Sequence, residues 1–123
     1  MHVERFRDYC LSKTGVTEEF PFDEHTLVFK VMGKVFAIVP LERSPSQANL
    51  KCDPERAEEL REAYDGLIYP GFHMNKKHWN TVLLADRLPS QLVMDLIDHS
   101  YDLVVAKFTK ALKAQWMALK DSN

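Results

Sequence analysis

Cysteine is scarce in this chain: Cys10 and Cys52 stand far apart, and neither has a CxxC partner. That excludes a disulfide framework and a cysteine-based zinc site, and it points to two buried thiols in a reducing compartment. Long apolar runs are absent too. No stretch approaches the roughly 20 apolar residues a membrane helix needs, and Met1-His2-Val3-Glu4-Arg5-Phe6 lacks the apolar core of a signal peptide. A cytoplasmic location without membrane association is expected, as is a monomer. There is no repeat, no low-complexity tract and no interdomain linker. No GxSxG, P-loop, HExxH or GxGxxG pattern occurs, and no spacing of Ser, His and Asp identifies a triad, so no catalytic constellation and no cofactor are expected.

What is present fits one ordinary domain spanning 1–123. At 46% hydrophobic and 28% charged, the composition is that of a soluble globular protein large enough to bury a core without staples. The net charge of −2 is unevenly spread. Residues 25–52 carry four basic groups against one acidic, and residues 67–88 carry three against one. Residues 53–66 are strongly acidic. The two basic stretches are also those that read as strands, so one sheet face is expected to be cationic.

Val3, Phe6 and Cys10, with Tyr9 beside them, predict a helix from residue 2 to about 13 that stops at Gly15. Leu27–Val31 and Val35–Val39, separated by Met32-Gly33-Lys34, predict a tight hairpin. Gln47–Cys52 alternates as a half-buried strand whose outer face would present Gln47, Asn49 and Lys51. Asp53-Pro54-Glu55 reads as a capped helix start, with Ala57, Leu60 and Tyr64 as its inner stripe and Asp65-Gly66 as its end. Asn80–Ala85 resumes a strand. Leu92, Val93, Leu96, Ile97, Tyr101, Val104 and Phe108 then mark a long helix. Residues 109–120 add an amphipathic extension with Leu112, Trp116 and Leu119 on one side, either continuous with that helix or separate from it. The order predicts an α+β two-layer sandwich, a largely antiparallel sheet packed against N- and C-terminal helices with a short helix inserted between strands.

The densest chemistry lies in Pro70–Thr81, which holds two imidazoles, two ammonium groups, two carboxamides, an indole and a glycine suited to close backbone approach. Lys76 and Lys77 could pair phosphates, Trp79 could stack a base, and Asn80 could read a base edge. The alternative is a solvated turn with Trp79 folded into the core. Lys51 and Lys30 would extend the cationic surface if their strands lie alongside. Cys52 beside Asp53 reads as a buried thiol more than an activated one. His73 and His78 have no adjoining carboxylates, so no transition-metal site is expected. The four carboxylates of Glu18, Glu19, Asp23 and Glu24 read as solvated charge, with Phe20 or Phe22 packed inward.

Phe29–Ala37, Leu50-Lys51-Cys52-Asp53-Pro54, Asn75-Lys76-Lys77-His78-Trp79-Asn80-Thr81 and Ser100–Ala106 together carry a resemblance to the MmcQ/YjbR family. Gly15–Phe22 also looks like that family's opening segment, and the likeness runs to about Lys107. The resemblance implies a fold similar to the bacterial frataxin homologue CyaY and a double-wing DNA-binding surface. Carried over on this resemblance, the contact residues are Lys51, Asn75, Lys76, His78, Trp79 and Asn80, with Lys77, Lys30 and Lys34 beside them. Frataxin-like iron binding is not carried over, because the first helix offers only Glu4 and Asp8 among Arg5, Arg7 and Lys13. The expected function is a non-enzymatic DNA-binding module. The alternatives are a site for a small anion or peptide carboxylate built from the same side chains, and a protein-interaction domain using the Leu112/Trp116/Leu119 face.

Overall fold

The computed structural model describes residues 1–71, 74–84 and 86–122. Helix α1 (Val3–Leu11) turns Phe6 and Cys10 inward, as their spacing requires. Gly15, at φ +75°, then reverses the chain into strand β1 (Val16–Glu19), which the sequence reading missed. β1 is short, polar and at the sheet edge, so it has no apolar alternation to betray it. Beyond it Phe20 and Phe22 are exposed, and the expectation that one packs inward does not hold.

β2 (Thr26–Val31) and β3 (Lys34–Pro40) form the hairpin with a loop one residue shorter than expected. Met32 and Gly33 both have positive φ, at +50° and +82°, and Lys34 already pairs with Val31. That is the backbone of a two-residue primed turn, with methionine in a position that more often suits Asn. Between Phe29 and Lys30 the register slips, leaving Phe36 as an extra residue on β3. The bulge aims Phe36 at the helical layer, where its ring meets Tyr101 edge-on at 5.5 Å.

β4 (Gln47–Lys51) leads into α2 (Pro54–Ala63). Asp53 caps α2 by accepting the Arg56 N–H, and Ala57 and Leu60 are its buried residues, with Tyr64 half-buried at its end. β5 (Ile68–Pro70) was not anticipated; three residues ending in Pro give little periodicity to read. β6 runs Trp79–Leu83, starting a residue early, and the expected strand end at Ala85 lies outside the described residues. α3 (Ser90–Ala106) is the long helix. α4 (Lys110–Asp121) is separate, capped by Thr109.

The described strands form one antiparallel sheet in the order β1-β2-β3-β4-β6-β5. The architecture is α+β, as expected. Leu27, Phe29, Ala37, Val39, Ala48, Leu50 and Val82 join Phe6, Leu96, Ile97 and Tyr101 in a single core between the sheet and α1 and α3. Each large side chain so buried contributes about 1.5–3 kcal/mol. Trp116 of α4 donates to the Tyr101 hydroxyl at 2.8 Å, so the α4 face folds back onto the domain, with Leu112 half-buried and Leu119 exposed. No helix is long and apolar enough to cross a membrane among the described residues.

Strand alternation sends Val28, Ile38, Asn49 and Thr81 to the opposite face. Contrary to the expectation of an exposed outer row, Gln47 and Asn49 are more than nine-tenths buried there. They are held by neighbours, since Thr81 donates to Asn49 Oδ1 at 2.6 Å and Tyr69 donates to Gln47 Oε1 at 3.2 Å.

Candidate functional site

The family-like segments converge where β4 and β6 end beside the C-terminus of α3. Lys51 and Trp79 are register partners, and the Lys51 ammonium lies 5.6 Å from the centre of the Trp79 ring. They line a concavity of about 420 Å³ together with Asn75, His78, Asp53 and Lys107. An adjoining extension of it shares Lys51, Trp79 and Lys107 and adds Lys34 from the hairpin tip. Three ammonium groups therefore surround one region. Burial first, and then the proximity of Lys107, push the Lys51 ammonium below its ordinary pKa.

The backbone around Lys51 is firmly held. Its N–H donates to Ser100 Oγ at 2.9 Å, and that hydroxyl donates to Phe36 O at 2.6 Å, tying β4, α3 and the bulged β3 together. Cys52 N–H donates to His78 O at 2.9 Å. The Cys52 thiol is pushed up to about 11, chiefly by burial, so it is the inert thiol expected. His99 accepts the Asp53 N–H at 3.0 Å, which requires a neutral imidazole nitrogen. Burial and then Arg56 lower its pKa accordingly.

The turn before β6 is shaped by Asn75, whose Oδ1 accepts Lys77 N–H and whose carbonyl accepts the N–H groups of His78 and Trp79. Its carboxamide nitrogen has no hydrogen-bond partner among the described residues. Arg61 of α2 clamps this turn: it donates to Lys76 O, to Trp79 O at 3.4 Å and, through Nε, to Asn80 Oδ1 at 2.7 Å. Gly71 donates to Trp79 O at 2.9 Å and sits so close that a Cβ there would lie 2.8 Å from Trp79 Cβ. The glycine in this segment thus serves approach to Trp79.

The geometry brings Lys34, Lys51, Asn75, His78 and Trp79 together and separates the other candidates. Lys30 forms an ion pair with Glu19 of β1, in the other half of the sheet. Lys76 and Lys77 line a different hollow with Glu55, Glu58 and Arg61. Trp79 is 8% exposed and Asn80 only 2%, with Asn80 also donating to Ala57 O at 3.4 Å. With so little of the ring exposed and Lys51 over it, and with the carboxamide committed to α2, base stacking and base-edge reading fit these two side chains poorly. His73 lies outside the described residues. Sequence reasoning missed Lys107 and Arg61. Lys107 had one legible signal, a cation at the end of a long helix where free carbonyls gather; Arg61 looked like ordinary helix surface.

Comparison with known proteins gives a consistent picture. The YjbR family model matches residues 11–103. The uncharacterized protein YbdF of Escherichia coli O157:H7 is 38% identical over 91 residues, covering 74% of this chain and 74% of that protein. The uncharacterized protein YjbR of Escherichia coli K12 is 33% identical over 105 residues, covering 85% and 88%. Among solved structures, Deinococcus radiodurans protein DR2400, described as a DUF419 domain, is similar with a TM-score of 0.86 at 44% identity, over 93% of this chain and 86% of that one. A Pseudomonas syringae protein is similar with a TM-score of 0.72 at 31% identity, over 84% and 98%. This chain belongs to the YjbR family.

Proposed function

We propose that the concavity between Lys51 and Lys107 binds a small anionic ligand, a carboxylate- or phosphate-bearing molecule, with Asn75 and His78 supplying directional hydrogen bonds. One observation carries this reading. Two ammonium groups face one hollow, and neither has a carboxylate in an ion pair among the described residues. Three other cations have carboxylate partners: Lys13 with Asp98, Lys30 with Glu19, Arg7 with Glu18. An anion would supply the missing countercharge, and the concave shape suits a small molecule better than a polymer. Asp53 also lines the hollow, but it caps α2 through the Arg56 N–H.

The test is titration with inorganic phosphate and with citrate, followed by calorimetry. Each ammonium acts as a charged hydrogen-bond donor, so Lys51→Met and Lys107→Met are each expected to weaken binding about tenfold or more. Lys76→Ala/Lys77→Ala leaves it unchanged. No binding of either anion, or equal binding by the Lys51→Met/Lys107→Met double variant, overturns the reading.

DNA binding is the second reading, favoured by the exposure of Lys34, Lys76 and Lys77 around the same end of the sheet. It would rest on phosphate contacts alone, with affinity on the order of 10⁻⁴ to 10⁻⁶ M and a steep salt dependence. Glu55 and Glu58, across the hollow from Lys76 and Lys77, weigh against it. Fluorescence anisotropy with a DNA duplex separates the two: loss in Lys76→Ala/Lys77→Ala supports DNA, and absence of binding at low salt removes it. A fold similar to CyaY is proposed on the same resemblance.

A further inference from the structure

The sheet face away from α1 and α3 holds a second hollow, of about 400 Å³, which the reading above does not use. Phe22, Ile38, Pro40 and Met74 form apolar walls, Gln47 and Asn49 form the floor, and Thr26 and Arg43 complete the lining. Two carboxamides in such a place are costly unless their polar atoms are satisfied. Their oxygens are: Asn49 Oδ1 accepts from Thr81 and Gln47 Oε1 from Tyr69. Their amide nitrogens are not. Neither Nδ2 of Asn49 nor Nε2 of Gln47 has a hydrogen-bond partner among the described residues, although both side chains are more than nine-tenths buried. No sealed side-chain nitrogen or oxygen lacks a partner among the described residues, so these two NH₂ groups keep some accessible surface, and both side chains line the hollow.

Donors fixed in direction by the bonds on the far side of each carboxamide, set in an apolar wall, are the usual means of orienting a small ligand. We propose that this face is a ligand site separate from the cationic hollow. It takes a small molecule with an apolar body and a carbonyl or carboxylate acceptor that receives the Asn49 and Gln47 amides. Phe22, 71% exposed on the rim, supplies an aromatic surface for the apolar body. Ligands that offer only donors find no complement on this floor.

The experiment uses the whole chain, labelled with ¹⁵N, and three probes of similar size: phenylacetamide, phenylacetate and 2-phenylethylamine. The side-chain NH₂ resonances of Asn49 and Gln47 are expected to shift with the amide or the carboxylate, with a dissociation constant on the order of 1 mM for so small a probe. The amine leaves them in place. Preference for phenylacetate over phenylacetamide assigns a charged acceptor, and the reverse a neutral one; both support the site. Ile38→Trp, which fills the hollow from its wall, abolishes the shifts. Gln47→Leu, which keeps the volume and removes one donor, weakens binding at least threefold and serves if Ile38→Trp loses its dispersed spectrum. Absence of shifts well above that concentration, equal shifts with the amine, or unchanged binding in a folded Gln47→Leu variant overturns the proposal. Because phosphate binding is read from Lys51 and Lys107, failure here leaves the cationic hollow untouched, and failure there leaves this one.

Discussion

The two hollows are built from the same sheet by opposite means. At the end of β4 and β6, charge is concentrated and left without a countercharge: Lys51 and Lys107 share a hollow, and Lys34 adjoins it. On the face beyond, Arg43 is the charged residue of the lining, and two buried carboxamides offer donors between apolar walls. The first selects chiefly by Coulombic attraction and is the more sensitive to salt; the second selects chiefly by direction and shape. The turn before β6 serves both, with Met74 on one side and Asn75 on the other. A hollow that bears charge needs a scaffold that resists repulsion, whereas a hollow with a hydrogen-bonded floor supports itself.

The largest expected effect tests that scaffold. Arg61→Ala leaves Asn80 Oδ1 and the carbonyl oxygens of Lys76 and Trp79 without their charged donor, at a cost of about 3 kcal/mol. Urea unfolding measures it as a lower midpoint at unchanged slope. Phosphate affinity falls as well, since Asn75 and His78 ride on this turn. A folded Arg61→Ala variant that binds phosphate normally would break the link between turn and site. Gly71→Ala comes next. Its Cβ would press on the Trp79 side chain and backbone, neither of which can yield easily, and about 2 kcal/mol is expected from thermal melting. The Trp79 fluorescence spectrum should move with it.

Smaller again is Thr81→Val, which removes the donor to Asn49 Oδ1 beneath the second hollow. A loss of about 1 kcal/mol fits one neutral hydrogen bond. Weaker phenylacetamide binding with phosphate affinity unchanged would sharpen the separation of the two hollows, and a fall in phosphate affinity would break it.

Much of this arrangement was legible in the residues themselves, and the failures have physical causes. α1, the hairpin, α2 with its Asp53 cap and α3 followed from apolar period and capping chemistry, which act within a few residues of chain. The two edge strands were missed because Val16–Glu19 and Ile68–Pro70 are too short or too polar to carry a period. Segment charge suggested one cationic face, but strand order put Lys30 beside Glu19 and drew Lys107 in from α3, neither of which local sequence can reveal. Asn49 and Gln47 alternated as solvent-facing residues do. Polarity alone could not tell a wet face from a covered one, because the partners of these carboxamides, Thr81 and Tyr69, come from strands distant in the chain.

The smallest expected effect carries a sign that distinguishes a binding site from a structural one. The Lys51 ammonium has a folded pKa below its ordinary value because burial and Lys107 disfavour its charge. At neutral pH both folded and unfolded chains carry the proton, so the folded state bears the full cost. Only as the pH rises through the folded pKa does that cost disappear, because there the unfolded chain holds more protons than the folded one and stability climbs. Lys51→Met removes the charge and keeps an apolar stem against Trp79. Since Lys51 is only half-buried, solvent screening limits the gain to a few tenths of a kcal/mol, a rise of about 1 °C in Tm at pH 7. The gain should fade towards alkaline pH. A chain that becomes slightly more stable while losing phosphate binding has kept an unpaired cation for its ligand. A chain destabilised by Lys51→Met would instead show that the contact of the ammonium with the Trp79 ring outweighs its desolvation, and would make this end of the sheet structural.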